Sequence, residues 1–355
     1  MKRLVIYAGF HKAGTTAIQM ALHQNRALLK ESGITYPDGY GEWAHHVIGR
    51  PRAAYPLAKA IDAIRKLTRK HDFVLLASEF FSQYSEAALG KLKEALGPEV
   101  EIEAAFSMRR LEKVVGSQYQ QLARIGIDLN FSEFASGLLQ TENSVHETQV
   151  FWNRHDYDVI IDRWKKTFGP KNIHVVFVDE SSPDILSGWF ESFLKLPKAS
   201  LGKIKDTRLN RSLDVEELAL IQELQKQLNP ERRKAEWVPI FRNRLISSIV
   251  STPTTNSESQ KLQLSSELHA AFSQKANSQR DTIVSSGVNT YGEWPAASAP
   301  REATEEPTKI HIETVARAIT ALDSTGYLRV ASTGAIIREL IRRTGKALLG
   351  IFSKK

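Results

Sequence analysis

The chain contains no cysteine. That excludes disulfides, zinc–thiolate sites and cysteine nucleophiles, and it suits a reducing compartment. No run of about 18 or more apolar residues occurs, so no membrane-spanning helix is expected. A strand-like segment starts almost at Met1, which predicts no signal peptide. The expected location is cytoplasmic, or at the inner face of the membrane through the basic C-terminal tail. Basic residues are dispersed, and no helix-turn-helix, zinc-finger or RNA-recognition signature is present, so no nucleic-acid partner is expected. His45 and His46 are adjacent, but no acid or third histidine stands at ligand spacing, and no metal is expected. No repeat of fixed period is present.

What remains is an ordinary globular composition, 42% hydrophobic and 25% charged. The net charge of +8 suits a groove for an anionic ligand. Residues 3–8, 72–80, 101–108 and 172–178 read as strands; residues 55–70, 85–96, 110–125, 131–139 and 157–168 read as helices. This alternation predicts an α/β fold with a parallel, doubly wound sheet. Residues 33–49 read as a loop rich in Gly, aromatics and His. From residue 184 the pattern is helical, over 184–194, 214–228, 231–250 and 262–284, with no strand.

The expected organisation is an α/β domain over 1–290, a linker over 291–308 that is rich in Pro, Ala and Glu, and a basic helical tail over 309–355. The apolar residues of 335–355 are interspersed with Arg and Lys. That stretch either docks on the core or on a second copy of the chain, making a homodimer, or lies on an anionic membrane surface.

The most informative stretch is residues 3–22, RLVIYAGFHKAGTTAIQMAL. An apolar strand runs into a loop from Gly9 to Gly14, and Thr15 opens a helix with Ile18, Ala21 and Leu22 at helical spacing. Strand, glycine turn and helix start make an anion cradle. The first-turn N–H groups have no helical partners and the helix dipole adds positive charge there. A nucleoside-triphosphate loop reads G-x-x-x-x-G-K-[ST]. Here Gly9 and Gly14 have that spacing, but Thr15 stands where the lysine belongs, and the loop's lysine is Lys12.

The pattern Lys12, Gly14, Thr15, Thr16 resembles the 5′-phosphosulfate loop of sulfotransferases that use 3′-phosphoadenosine 5′-phosphosulfate (PAPS). The resemblance implies a P-loop-type three-layer fold, a central parallel sheet flanked by helices, with a helical C-terminal annex. It also implies that Lys12 neutralises charge on the leaving phosphate, and that His11, Ala13, Gly14, Thr15 and Thr16 line the 5′ side of the donor. Further on, FSMRRLEKVVGSQYQQ puts Arg109 at a strand end and Ser117 in the next helix, the family's spacing for the donor's 3′-phosphate; Arg110 could share that work. An arginine offers a planar fork of charged donors. Arg-x7-Ser is weak alone, but in this order behind the lysine–glycine loop it is specific. DTRLNRSL, residues 206–213, resembles a stretch that follows the core in bacterial relatives, where Arg208, Asn210 and Arg211 could reach the donor; Asn210 or Ser212 reads more simply as a helix cap.

Glu79 ends an otherwise apolar segment, and a glutamate general base is found in carbohydrate-type members; a strand-end ion pair is the alternative. His46 is the second candidate base. The resemblance covers about residues 1–290, strongly over the first 120 and weakly beyond. It implies sulfuryl transfer from PAPS to a hydroxyl or amine, leaving adenosine 3′,5′-bisphosphate, with a carbohydrate or glycolipid favoured as acceptor. Tyr36, Tyr40, Trp43 and Tyr55 on one side, and Phe151, Trp152 and His155 on the other, are expected to form the acceptor walls. Two other classes stay open: a P-loop kinase acting on a small molecule with Mg²⁺, and a non-catalytic binding protein on the same fold.

Overall fold

A computed structural model of the chain describes residues 1–38, 45–140, 146–182, 184–202, 212–227, 246–251 and 261–300, with 302–303, 314–315 and 318 beyond them. The strands are β1 Lys2–Tyr7, β2 Phe73–Ala77, β3 Val100–Met108, β4 Ile173–Phe177 and β5 Asn289–Tyr291. The helices up to β3 are α1 Thr15–Gln24, α2 Arg26–Glu31, α3 His46–Gly49, α4 Leu57–Lys70 and α5 Glu86–Leu96. Between β3 and β4 come α6 Leu111–Ile125, α7 Phe131–Gly137, α8 His146–His155 and α9 Tyr157–Phe168. After β4 come α10 Ile185–Phe193, α11 Val215–Gln227, α12 Ser247–Ser251 and α13 Ser266–Ser285.

The chain divides into two compact units. One comprises Met1–Val114, Gln149–Lys205 and Ala271–Ala299; the other comprises Val115–Thr148, Asp206–Ala270 and Pro300–Lys355. The first unit holds the sheet, in the order β2-β1-β3-β4-β5 with every neighbouring pair parallel. The fold is therefore α/β, as the alternating pattern predicts. Leu4, Val5, Ile6 and Tyr7 are buried on both faces of β1, as a covered parallel sheet requires.

On one face Val5, Tyr7, Leu75, Ala77, Ala105 and Val176 meet Ile18 and Leu22 of α1, Leu29 of α2 and Phe190 of α10. Helices α4, α5 and α9 cover the other face, where Trp164 of α9 meets Phe106 of β3 edge-on at 5.6 Å. Each such fully buried side chain contributes about 1.5–3 kcal/mol. Across the strands Glu103 of β3 pairs with Arg3 of β1 at 2.5 Å and His174 of β4 at 3.1 Å. Burial works against its charge, yet the bonds from His174 and Arg3 hold the carboxyl down at about 2.

The strand order decides where a ligand can sit. From β1 the chain crosses one way to β2 and then the other way to β3, so the connections diverge at the β1/β3 boundary. The carboxyl ends of strands at such a switch point border the crevice where ligands bind in open α/β sheets. The Gly9–Gly14 loop, Ser78-Glu79, Arg109-Arg110 and Asp179-Glu180 all follow carboxyl ends of strands.

In the second unit, Tyr119 packs its ring against Phe131 and Phe134, at 5.2 and 5.5 Å. Asn130 and Glu133 form a reciprocal capping box at the start of α7. Asp214 and Glu217 make the same exchange at the start of α11, at 3.0 and 2.8 Å.

Several expectations are corrected. A fifth strand, β5, lies in the region expected to be helical only. The strand expected over 72–80 stops at Ala77, because the Ser78 hydroxyl accepts from the Phe80 N–H and starts a 3-10 turn, Glu79–Gln83. The expected 33–49 loop ends in the helical turn α3, and Thr35 bridges to Val74 of β2. Of the helix expected over 231–250, only its end falls among the described residues, as α12. The 335–355 tail, Asn210 and its arginine neighbours, Tyr40 and Trp43 lie outside the described residues. Among the described residues no helix is long and apolar enough to cross a membrane.

Candidate functional site

The loop after β1 is anchored at its start and open at its end. Ala8 and Gly9 both donate to the Ala105 carbonyl, at 2.9 and 3.3 Å, and Phe10 donates to that of Ser107 at 3.3 Å. The Phe10 ring is buried between Phe106 and Tyr157, at 5.2 and 4.3 Å. Gly9 has φ +30°, and a Cβ there would stand 2.4 Å from Cγ2 of Thr15. That contact forces glycine where the loop folds back on the helix start. Ala13 closes the turn by donating to the Phe10 carbonyl at 3.3 Å.

Lys12, at the turn's apex, has φ +65°, a left-handed conformation that costs a side-chain-bearing residue about 1–2 kcal/mol. Such strain persists where surrounding structure fixes it, and it concentrates at functional sites. Gly14, also left-handed at φ +81°, is the N-cap of α1 and offers no side-chain acceptor to the helix. The first turn of α1 has no acidic residue either. The helix start thus keeps its partial positive charge, with no cap or acid of its own first turn to offset it. His11, Ala13 and Thr15 are buried; Lys12 and Thr16 are half-buried.

Arg109 follows β3 and reaches the same loop. Its guanidinium donates to the Lys12 carbonyl at 3.2 Å and pairs with Glu180, which follows β4. Its Nε is buried without a hydrogen-bond partner. Arg109 therefore joins loop and strand end but is already engaged by a carboxylate, Glu180, that was not among the expected site residues. Arg110 is excluded from sharing the work. It is 3% exposed, and its guanidinium is used up by Glu112, by Asn277 and Ser273 of α13 and by the Pro295 carbonyl, over the ring of Trp294. Ser117 lies on α6, half-buried, in the second unit.

The two candidate bases stand side by side. Glu79 Oε2 is 4.0 Å from His46 Nδ1 and accepts from the Gln19 amide of α1 at 2.9 Å. His46 Nδ1 also bonds the Ser78 hydroxyl at 2.8 Å. Burial lowers the His46 pKa below its usual 6.5, Arg50 lowers it further, and Glu79 works in the opposite direction. The imidazole is neutral at pH 7 and has a lone pair to use.

His45, by contrast, is structural. Its Nδ1 accepts from the Ala77 N–H and its Nε2 donates to the Pro37 carbonyl, both at 2.9 Å. Burial pushes it down to about 4. His11 is buried with its Nε2 accepting from Gln83 at 3.0 Å; burial first, then Arg154, His155, Lys12 and His46, keep it neutral. Among the described residues no group of three His, Cys, Asp or Glu is arranged to hold a metal ion.

The expected acceptor walls need revision. Tyr36 and Phe151 are core residues, 6% and 0% exposed, and cannot stack on a ligand. His155 is wholly buried. Trp152 is half-buried, with Lys275 5.8 Å from its ring centroid, and Tyr55 carries Lys59 at 5.0 Å. The residues missed are Gln19, Glu180, Arg50 and Arg154. Only Glu180 carried a local signal, an acidic pair closing the segment IHVVFVDE.

No model of a known protein family matches the chain, and a search of curated proteins finds no significant match. The site has to be interpreted from its own geometry and from the motif.

Proposed function

We propose that this protein is a PAPS-dependent sulfotransferase. What carries the proposal is the loop. Its lysine sits at the apex of the turn rather than at the helix start, it is held there in a left-handed conformation, and an arginine from the neighbouring strand end bonds its carbonyl. The donor set suits a phosphosulfate. There is an open helix start behind Gly14, a cradle at Gly9 that a Cβ would fill, and a buried Arg109 Nε without a partner.

Bound PAPS would supply the activated sulfuryl group. The amides of Ala13–Thr16, with the Thr15 and Thr16 hydroxyls, would hold the 5′-phosphate, and Arg109 would hold the 3′-phosphate. Lys12 would meet the charge on the donor's leaving oxygen, an electrostatic role of the kind that dominates group transfer. Glu79 takes the acceptor's proton, with Gln19 and His46 fixing its position. The acceptor is a hydroxyl-bearing metabolite, with a saccharide favoured.

Thermal-shift titration with adenosine 3′,5′-bisphosphate against ATP–Mg²⁺ tests the proposal. The bisphosphate at a hundredfold over its Kd should stabilise the protein by about 2.7 kcal/mol, and ATP–Mg²⁺ should do much less. The reverse order would identify a kinase. No shift with either would leave a non-catalytic binding protein.

A further inference from the structure

The Phe80 ring organises charge that the glycine loop does not use. Phe80 lies in the 3-10 turn after β2. The Arg50 guanidinium sits over its ring, 4.9 Å from the centroid, while His46 and His11 meet its edges at 5.1 and 5.2 Å. Beyond His11, the His155 ring follows at 6.4 Å, and Arg154 precedes it at the end of α8. Arg154 feels the charges of Arg50 and Glu79.

Neither arginine forms an ion pair or a guanidinium hydrogen bond among the described residues, and the Arg154 Nε is buried without a partner. The histidines cannot be the counter-charge. His11 and His155 are buried and kept neutral, and both ring nitrogens of His155 are also unpartnered. Two cations, Arg50 and Arg154, thus stand near one carboxylate, Glu79. Arg50 is exposed and Arg154 half-buried; a half-buried guanidinium with an unpartnered Nε is unfavourable, and the planar forks of two arginines match an oxyanion's geometry.

We infer that Arg50 and Arg154 form an oxyanion subsite for the acceptor. The acceptor carries a carboxylate, phosphate or sulfate ester besides the hydroxyl that is modified. The word acceptor rests on the sulfotransferase proposal. Lys12 and Arg109 are assigned to the donor, whereas this pair lies on the side of Glu79 and His46.

The test is calorimetric titration of inorganic phosphate into protein saturated with adenosine 3′,5′-bisphosphate. Wild type should bind phosphate. Arg50→Gln and Arg154→Gln should each weaken it at least tenfold, and Lys66→Gln, an exposed control on α4, should leave it unchanged. Melting temperatures show whether each variant is folded; Arg154→Lys, which keeps the charge, should recover part of the binding. Undiminished phosphate binding in both Gln variants overturns the inference, as does no binding at all. Binding that appears only when the bisphosphate is absent assigns the pair to the donor's transferred group and also overturns it.

A competition arm separates the sources of the anion. 4-Nitrophenyl β-D-glucuronide should displace the phosphate and the neutral glucoside should not. Phosphate that neither displaces marks a site for a free inorganic anion, contrary to the inference. Failure of the bisphosphate itself to bind counts against the sulfotransferase proposal instead, and the Gln variants then report on the arginine pair in the nucleotide-free protein.

Discussion

The glycine loop and the corner around Glu79 are both built at the carboxyl ends of β1 and β2, but from different materials. The loop is one contiguous turn whose chemistry lies mostly in its backbone. Two glycines and three hydrogen bonds to the β3 end fix it, and its single cation is held at the apex. The corner is made of side chains from separate segments: Gln19 from α1, His46 from α3, Arg50 just after it, Glu79 and Phe80 from the turn after β2, and Arg154 from α8. A backbone cradle recognises a phosphate whatever is attached to it. A corner of side chains can differ from protein to protein without disturbing the strands. On the proposed sulfotransferase reading, the loop should therefore govern the donor and the rate, and the corner should govern the acceptor.

The largest effect expected on that division is Lys12→Ala. Removing one charge that stabilises the transition state lowers turnover about 10²–10³-fold. Affinity for the bisphosphate product should change less than about tenfold, since the amides and Arg109 remain. Single-turnover rates beside calorimetric affinities read the split. An equal loss in both would reduce Lys12 to a binding residue.

Gly9→Ala attacks the cradle itself. The new Cβ would stand 2.4 Å from Thr15 Cγ2, at a φ of +30° that alanine resists. The expected cost is about 1–3 kcal/mol of stability, with bisphosphate binding lost alongside. Thr15→Ser removes the clashing methyl, so the double variant should regain part of the stability. A Gly9→Ala protein as stable as wild type would mean that the loop is softer than described.

The corner is tested by pH. Glu79→Gln should lower turnover about 10²-fold or more if the carboxylate is the base. The residual rate carries a second signal. The Glu79 charge raises the His46 pKa against burial and Arg50. Losing that carboxylate lets the pKa fall further, so the neutral imidazole survives to lower pH. The acid limb of the rate profile should therefore move down in pH. A limb that stays in place would separate His46 from the proton path.

These two regions also differ in what the sequence discloses. The loop is local, so its strand, glycines, lysine and helix start could be read from adjacent residues. The helix Tyr157–Phe168 could be read the same way from its periodic apolar face and from Gly169 just beyond its end. Glu79 and His46 were legible as single candidates but not as neighbours, because the pairing depends on β2 and α3 meeting in space. Arg50 and Arg154 had no local mark, since an arginine at a helix end is ordinary until its partners are known. β5 was missed because it is three half-buried residues, Asn-Thr-Tyr, paired on one side to β4. Such an edge has neither an apolar run nor a clear alternation to announce it.

The smallest expected effect concerns the one place where the loop side depends on a distant side chain. Arg109 is paired with Glu180, yet the proposal needs its fork for a phosphate. Glu180 is 55% exposed in its side chain, so the ion pair is worth little, about 1 kcal/mol or less. Breaking it should then be a minor part of the binding free energy. Glu180→Gln removes the competing charge and should tighten bisphosphate binding by about two- to fivefold, with the Kd of an analogue lacking the 3′-phosphate unchanged. Equal tightening for both ligands would show that Glu180 repels the donor's charge as a whole. Weaker binding would mean that the carboxylate orients Arg109 and is part of the site rather than its rival.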